Sequence, residues 1–244
     1  MTPTRVAMWS GPRNISTALM RAWENRPDTV VVDEPFYASY LARTGKDHPG
    51  RHAVLASQPQ AVDAVLAALG APLPSGRSVQ YVKHMAHHLD PADDLAWARQ
   101  AHNVLLVRDP AEVVASYVRS REACEPEDIG LLQQERLLDT LARDGGGTPP
   151  VIDAADFLRD PERHLRWLCD RLGIGFTAAM LSWPTGPRSS DGVWAPYWYD
   201  AVWRSTGFEP WRPREVRLSD HDAAVAEVCR PAYERLHALR VRLT

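Results

Sequence analysis

Arg5-Val6-Ala7-Met8-Trp9-Ser10-Gly11-Pro12-Arg13-Asn14-Ile15-Ser16-Thr17-Ala18 is the stretch that decides the fold. Val6–Trp9 is an apolar run of strand length. Ser10–Asn14 holds the glycine and proline of a tight turn, and Ile15–Met20 opens a helix. A strand that passes through a glycine turn into a helix N-terminus makes an anion cradle. The first helical amides have no partner within the helix, and the helix dipole favours negative charge there. Ser16 and Thr17 add hydroxyl donors at the same place. The turn lacks the Gly-Lys-Ser/Thr ending of the Walker A loop, so it points to a phosphate-bearing ligand while counting against an ordinary ATPase or GTPase.

Outward from this stretch the same alternation continues. Strands are expected at Val6–Trp9, Thr29–Asp33, Val79–Lys83, Asn103–Val107 and Pro150–Asp153. Helices are expected at Ile15–Arg26, Phe36–Ala42, Gln58–Leu69, Pro110–Arg121, Ile129–Arg143, Pro161–Leu172 and His221–Arg242. Strands separated by helices argue for an α/β fold with a parallel sheet between helical layers, built as one unit over residues 1–244. Gly145-Gly146-Gly147 reads as a turn before the fifth strand, and His48–Ser57 as a polar loop. Pro184–Pro213 has no clear period, and five of the nine tryptophans fall between Trp183 and Trp211. A structureless stretch that long in a compact unit is usually a lid or a binding loop.

Composition narrows the partners. A net charge of −3 makes no bulk electrostatic case for nucleic acid, so local basic residues must do any anion binding. Cys124, Cys169 and Cys229 are odd in number and widely spaced, which fits a reduced, cytoplasmic protein and neither a disulfide framework nor a zinc site. No apolar run approaches a membrane span, and the N-terminus lacks the apolar region of a secretory signal. The oligomeric state stays open, a homodimer included.

A second constellation lies at Leu105-Leu106-Val107-Arg108-Asp109-Pro110-Ala111-Glu112-Val113-Val114-Ala115-Ser116-Tyr117. An apolar strand ends on Arg108, Asp109 is a good N-cap, and Pro110 suits the first helical position. Ser116 follows about two turns later, roughly 9 Å along the axis, on a helix whose side chains tilt back toward its start. Arg108 and Ser116 can converge on one anion at the C-terminal edge of the sheet, where open α/β sheets bind ligands. A second anion site implies a ligand with two separate phosphate groups, which ATP does not have.

These two motifs, in this order and on these elements, resemble the sulfotransferases that use 3′-phosphoadenosine 5′-phosphosulfate. The resemblance implies a three-layer α/β sandwich with a mostly parallel central sheet, similar to the P-loop NTPases. It implies that Ser10, Gly11, Pro12, Arg13, Asn14, Ile15, Ser16 and Thr17 hold the 5′-phosphosulfate, with Arg13 as the loop's cation. Arg108 and Ser116 would hold the 3′-phosphate. The implied reaction moves a sulfuryl group to a hydroxyl or amine of a small acceptor and needs no metal. The tryptophan-rich C-terminal segment looks like that of bacterial and plant sulfotransferase-like proteins, some described as aminotransferase-like, a label that gives no reason to expect pyridoxal chemistry.

Such a reaction needs a base. Glu34, just after the second strand, looks like the base some sulfotransferases place there, and His84, directly after Lys83, is the alternative. The family's Lys-x-His spacing would put its histidine where Met85 stands. Lys83 would assist the departing phosphate. Glu34, Phe36, Trp194 and Trp198 are candidates for the acceptor pocket, the last two from the lid, which hints at a ring-bearing acceptor. Arg188, Arg204 and Arg212 lie in the suspected lid, and the resemblance implies that this region touches the nucleotide. Two other readings stay open. One is a kinase with a degenerate Walker A loop and Asp33 as its magnesium ligand. The other is a nucleotide-binding module without catalysis.

Overall fold

The computed structural model describes residues 2–90, 92–120, 123–143, 147–213 and 215–243. Arg121, Gly145 and Gly146, which fall in an expected helix and turn, lie outside them. Among the described residues five strands form one sheet: β1 (Thr4–Ser10), β2 (Thr29–Asp33), β3 (Val79–Met85), β4 (His102–Val107) and β5 (Val151–Asp153). Their order is β2-β3-β1-β4-β5, and every pairing is parallel.

Alternation along the strands explains the layers. Val6 and Met8 of β1 enter one core with Val104 and Leu106 of β4, while Ala7 and Trp9 enter a second core with Leu105 and Val107. Both faces are therefore covered, as a parallel sheet requires. The first core packs against α1 (Ser16–Glu24), α2 (Tyr37–Thr44), α3 (Arg51–Ser57), α8 (Ala154–Arg159) and α9 (Pro161–Arg171). α4 (Val62–Gly70) follows α3 in the chain. The second core packs against α5 (Pro110–Tyr117), α6 (Pro126–Ile129), α7 (Leu131–Arg143) and α12 (Asp220–Ala238). The segment before α12 holds two short helices, α10 (Ala195–Trp198) and α11 (Asp200–Arg204).

Three expectations change. Arg51–Ser57 is helical rather than loop, because Gly50 at φ 74° turns the chain so that Val54 is fully buried. The next helix starts at Val62 and not at Gln58: the Gln58 side chain accepts from the Ala38 amide and donates to the Glu34 carbonyl, and Pro59 follows it. The tryptophan-rich stretch is partly core rather than wholly loop. Ser182 bridges Gly207, and Trp183, Trp194 and Tyr199 are buried in the first core.

β1 lies between β3 and β4; its own connection to β2 runs through α1 over the first core, while the connection from β3 to β4 runs over the second. The C-terminal ends of these strands form the crevice where such sheets bind ligands.

Candidate functional site

The turn after β1 is shaped by close backbone contact. A Cβ on Gly11 would collide with the Ile129 carbonyl oxygen, so only glycine fits there. Arg13 takes a left-handed φ of 53°, rare for a residue with a side chain. Asn14 fixes the exit: its Oδ1 accepts from the Ile15 amide at 2.8 Å and its Nδ2 donates to the Leu106 carbonyl at 3.2 Å. No side chain caps the start of α1, which leaves its opening amides to a ligand.

Across the crevice α5 is capped as its sequence suggests. Asp109 accepts from the Ala111 and Glu112 amides, with Pro110 at the first position. Arg108 Nη1 donates to the Arg13 carbonyl at 2.8 Å, while its Nε and Nη2 hold Glu112 at 2.9 and 2.8 Å. Arg13 Nε donates to Ser116 Oγ at 3.1 Å. The guanidinium of the turn after β1 thus lies beside Ser116 and Arg108. Burial, then Arg119 and Arg108, lowers its proton affinity from the ordinary arginine value, which marks a site short of anions.

These elements bound a cleft of about 420 Å³, a size that suits a small-molecule ligand. Pro12, Arg13, Asn14, Ile15, Ser16, Thr17, Arg108 and Ser116 line it, as do Glu34, Lys83 and Trp198. Arg119, Leu158, Trp211 and Arg212 join the wall. Arg188 instead holds Glu24 at 2.7 Å, and Arg204 pairs with Asp200 at the surface. The segment carrying them is tied to α1 by the buried Arg21–Asp191 pair at 2.6 Å.

Five expected residues stand outside the wall. Ser10 is buried, its hydroxyl turned to the Gly11 carbonyl at 2.8 Å, and Gly11 packs on Ile129. Trp194 is core, with its Nε1 donating to the Tyr199 hydroxyl at 3.1 Å. Phe36 and His84 face the second core's side of the sheet. The His84 ring stacks on Trp9 at 4.0 Å and on Phe36 at 5.7 Å. The cause is the two-residue period of a strand. Lys83 and Met85 reach the cleft from one face of β3, and His84 between them cannot. The histidines that do reach the wall are His87 and His88, in the turn beyond the strand, with His48 from the segment after α2.

At the inner end Lys83, 1% exposed, donates to Glu34 Oε1 at 2.5 Å, to the Tyr199 hydroxyl at 2.6 Å and to Asp33 Oδ1 at 3.0 Å. Tyr199 donates to Asp33, whose oxygens lie 2.7 and 2.8 Å away. Burial pushes the Glu34 carboxyl above the usual carboxylate range, with Asp33 adding to it and Lys83 opposing. Burial works against the Lys83 ammonium, but Asp33 and Glu34 outweigh it and hold the ammonium above the ordinary lysine value. Glu34 sits at a left-handed φ of 40°, the kind of backbone strain that clusters at functional sites. Nothing in an aromatic stretch of sequence marks which hydroxyl faces a carboxylate, so the sequence does not single out Tyr199 as a polar partner.

Burial holds His84 and His87 at about 3, against an ordinary value near 6.5. Above pH 6.5 both forms of the chain carry these rings neutral. Below it the unfolded chain takes up protons that the fold refuses, so stability falls as pH drops from 6.5 toward 3. At pH 5 the loss is about 2 kcal/mol per histidine. His84→Phe, at a position whose Nδ1 has no partner, is expected to make that fall shallower. Urea unfolding at pH 7.5 and pH 5 measures it, and equal losses in the two proteins would refute it.

The comparisons with known proteins fit this geometry. The family described as "Sulfotransferase domain" matches residues 4–238. The chain belongs to the sulfotransferase family. It is 39% identical over 228 residues to "Branched-chain-amino-acid aminotransferase-like protein 1" of Arabidopsis thaliana, covering 90% of this chain and 40% of the relative. With "Branched-chain-amino-acid aminotransferase-like protein 2" of the same plant it shares 34% over 233 residues, again 40% of the relative. The chain thus spans about two fifths of the length of these curated relatives, and their names describe the longer proteins.

Among solved structures it is similar to the sulfotransferase domain of the curacin biosynthetic pathway, with TM-score 0.55, 16% identity, and 93% and 97% of the two chains covered. The sulfotransferase domain of the Synechococcus PCC 7002 olefin synthase gives TM-score 0.53 at 18% identity, covering 93% and 94%. A sulfotransferase from Alicyclobacillus acidocaldarius gives TM-score 0.52 at 18%, covering 99% and 98%. At such identities the likeness shows the fold, a P-loop-like α/β sandwich around an all-parallel sheet. No helix among the described residues is long and apolar enough to cross a membrane.

Proposed function

We propose that this sulfotransferase moves a sulfuryl group from 3′-phosphoadenosine 5′-phosphosulfate to a hydroxyl or amine of a small acceptor. The observation that carries the reading is a single cleft with two anion-binding groups. One is the uncapped start of α1 with Ser16 and Thr17, and the other is the Arg13–Ser116 contact with Arg108 beside it. A donor with phosphates at two separate places suits that arrangement better than the contiguous phosphates of ATP. The kinase reading loses its metal ligand: the Asp33 oxygens already accept from Lys83, Tyr199 and the Gly192 amide.

In the transfer, the acceptor oxygen bonds to sulfur as the bond from sulfur to the 5′-phosphate oxygen breaks. The electron pair leaves with the phosphate, and the acceptor's proton passes to Glu34. The products are a sulfate ester and adenosine 3′,5′-bisphosphate. Glu34, raised by burial, is suited to take that proton. The amides of α1 stabilise the leaving phosphate, and the charge of Lys83 acts from the same wall. Tyr37, His48, His88 and Trp198 line the inner end and suit a ring-bearing acceptor.

Thermal unfolding with adenosine 3′,5′-bisphosphate and no metal tests the donor. At a hundredfold excess over Kd the expected stabilisation is roughly 2.7 kcal/mol. Stabilisation by magnesium–ATP alone would overturn the reading.

A further inference from the structure

We infer that Asp33 and Tyr199 are positioning residues of the transfer step, sharing the Lys83 ammonium with Glu34 so that Glu34 stands at the cleft wall held in place but not neutralised. The inference rests on the reading of Glu34 as the base. Its ground is the count of donors and acceptors. An ammonium has three N–H groups, and Lys83 has three acceptors within 3.0 Å: Glu34 Oε1, the Tyr199 hydroxyl and Asp33 Oδ1. Tyr199 has one proton to give. It lies 2.7 Å from Asp33 Oδ2 and 3.4 Å from Glu34 Oε1, so the proton goes to Asp33. The same hydroxyl accepts from Trp194 Nε1 at 3.1 Å, and the Gly192 amide donates to Asp33 at 3.1 Å. Asp33 is thereby enclosed, while Glu34 lines the cleft.

A buried Lys83–Glu34 pair standing alone would be neutral, and its carboxylate a poor proton acceptor. With Asp33 the cluster has two carboxylates and one ammonium. The other titratable groups facing Glu34 do not change that sum at neutral pH. His88, from the turn after β3, has its Nε2 4.0 Å from Glu34 Oε2 and is kept uncharged by burial. Tyr37, from α2, keeps its proton through burial and the nearness of Glu34. Tyr199 keeps its own through burial and its two carboxylate neighbours. The backbone holds Glu34 in register: its amide donates to the Lys83 carbonyl at 2.9 Å, and its carbonyl accepts from Gln58 Nε2 at 3.1 Å.

The test is the pH profile of kcat/KM for the acceptor, with the Kd for adenosine 3′,5′-bisphosphate measured beside it. Asp33→Asn removes the second negative charge, so the acid limb is expected to move down by about one pH unit or more, with kcat at least about tenfold lower and Kd within about twofold. Tyr199→Phe, which removes a hydroxyl that donates to these carboxylates, is expected to move the limb the other way, up, and by less. A merely structural role would lower stability and leave the limb in place. If Asp33→Asn does not fold, Tyr199→Phe decides alone. An unmoved limb in the folded variants overturns the assignment of Asp33 and Tyr199. A wild-type protein that binds no bisphosphate and transfers no sulfuryl group overturns the reading beneath it instead.

Discussion

Glu34→Gln is expected to lower kcat by about 10²–10⁴ while leaving the Kd for adenosine 3′,5′-bisphosphate within about twofold. The amide has nearly the shape of the carboxylate and can still accept from Lys83, so the cleft keeps its form. What it loses is the ability to take the acceptor's proton. Glu34 is the carboxylate of the buried cluster that lines the cleft, and burial has raised its proton affinity toward the working range of a base. Single-turnover transfer to an acceptor, with bisphosphate binding measured by calorimetry, gives both numbers. Unchanged turnover would remove Glu34 from the mechanism and turn attention to His88, whose Nε2 lies 4.0 Å away.

Arg108→Ala is expected to weaken bisphosphate binding by about 2–3 kcal/mol, roughly 30- to 150-fold in Kd. Two losses combine in that figure. One is a charge-assisted contact to the ligand's second phosphate. The other is the brace on the turn itself, where Arg108 Nη1 holds the Arg13 carbonyl at 2.8 Å. The two are separable. Adenosine 5′-phosphate lacks the 3′-phosphate, so the wild-type preference for the bisphosphate should collapse in the variant if Arg108 serves that group. A preference that survives intact while both affinities fall equally would leave Arg108 a brace and nothing more.

Much of this site was legible because the signals are local. A glycine between an apolar run and a hydroxyl-bearing helix start can do little but turn, and Asp109-Pro110 is a helix start by its own chemistry. The five strands appeared where apolar runs of strand length stood, because a parallel sheet covered on both faces needs continuous burial. The losses came where local rules were silent. Residues 51–57 are too short for a helical period to declare itself, and burial of Val54 decides them. His84 looked catalytic by its neighbour in sequence, yet adjacent residues on a strand face opposite ways. Trp194 looked like part of a lid, because composition cannot tell a ring that covers a ligand from one that fills a core.

The sequence by itself determined the alternation of strand and helix, the glycine turn after β1, the capped start of α5 and the presence of a carboxylate at the end of β2. Each follows from residues within a few positions of one another, through backbone geometry and capping. The tertiary structure alone decided who meets whom. The order β2-β3-β1-β4-β5 puts Lys83 beside Asp33 and Glu34, and packing of the tryptophan-rich segment delivers Tyr199 from 116 positions away. The same layering brings Arg13 to Ser116 across 103 positions, turning the cation of the glycine turn toward α5. Partners so distant in the chain are chosen by which faces must be buried together, and no local pattern encodes that choice.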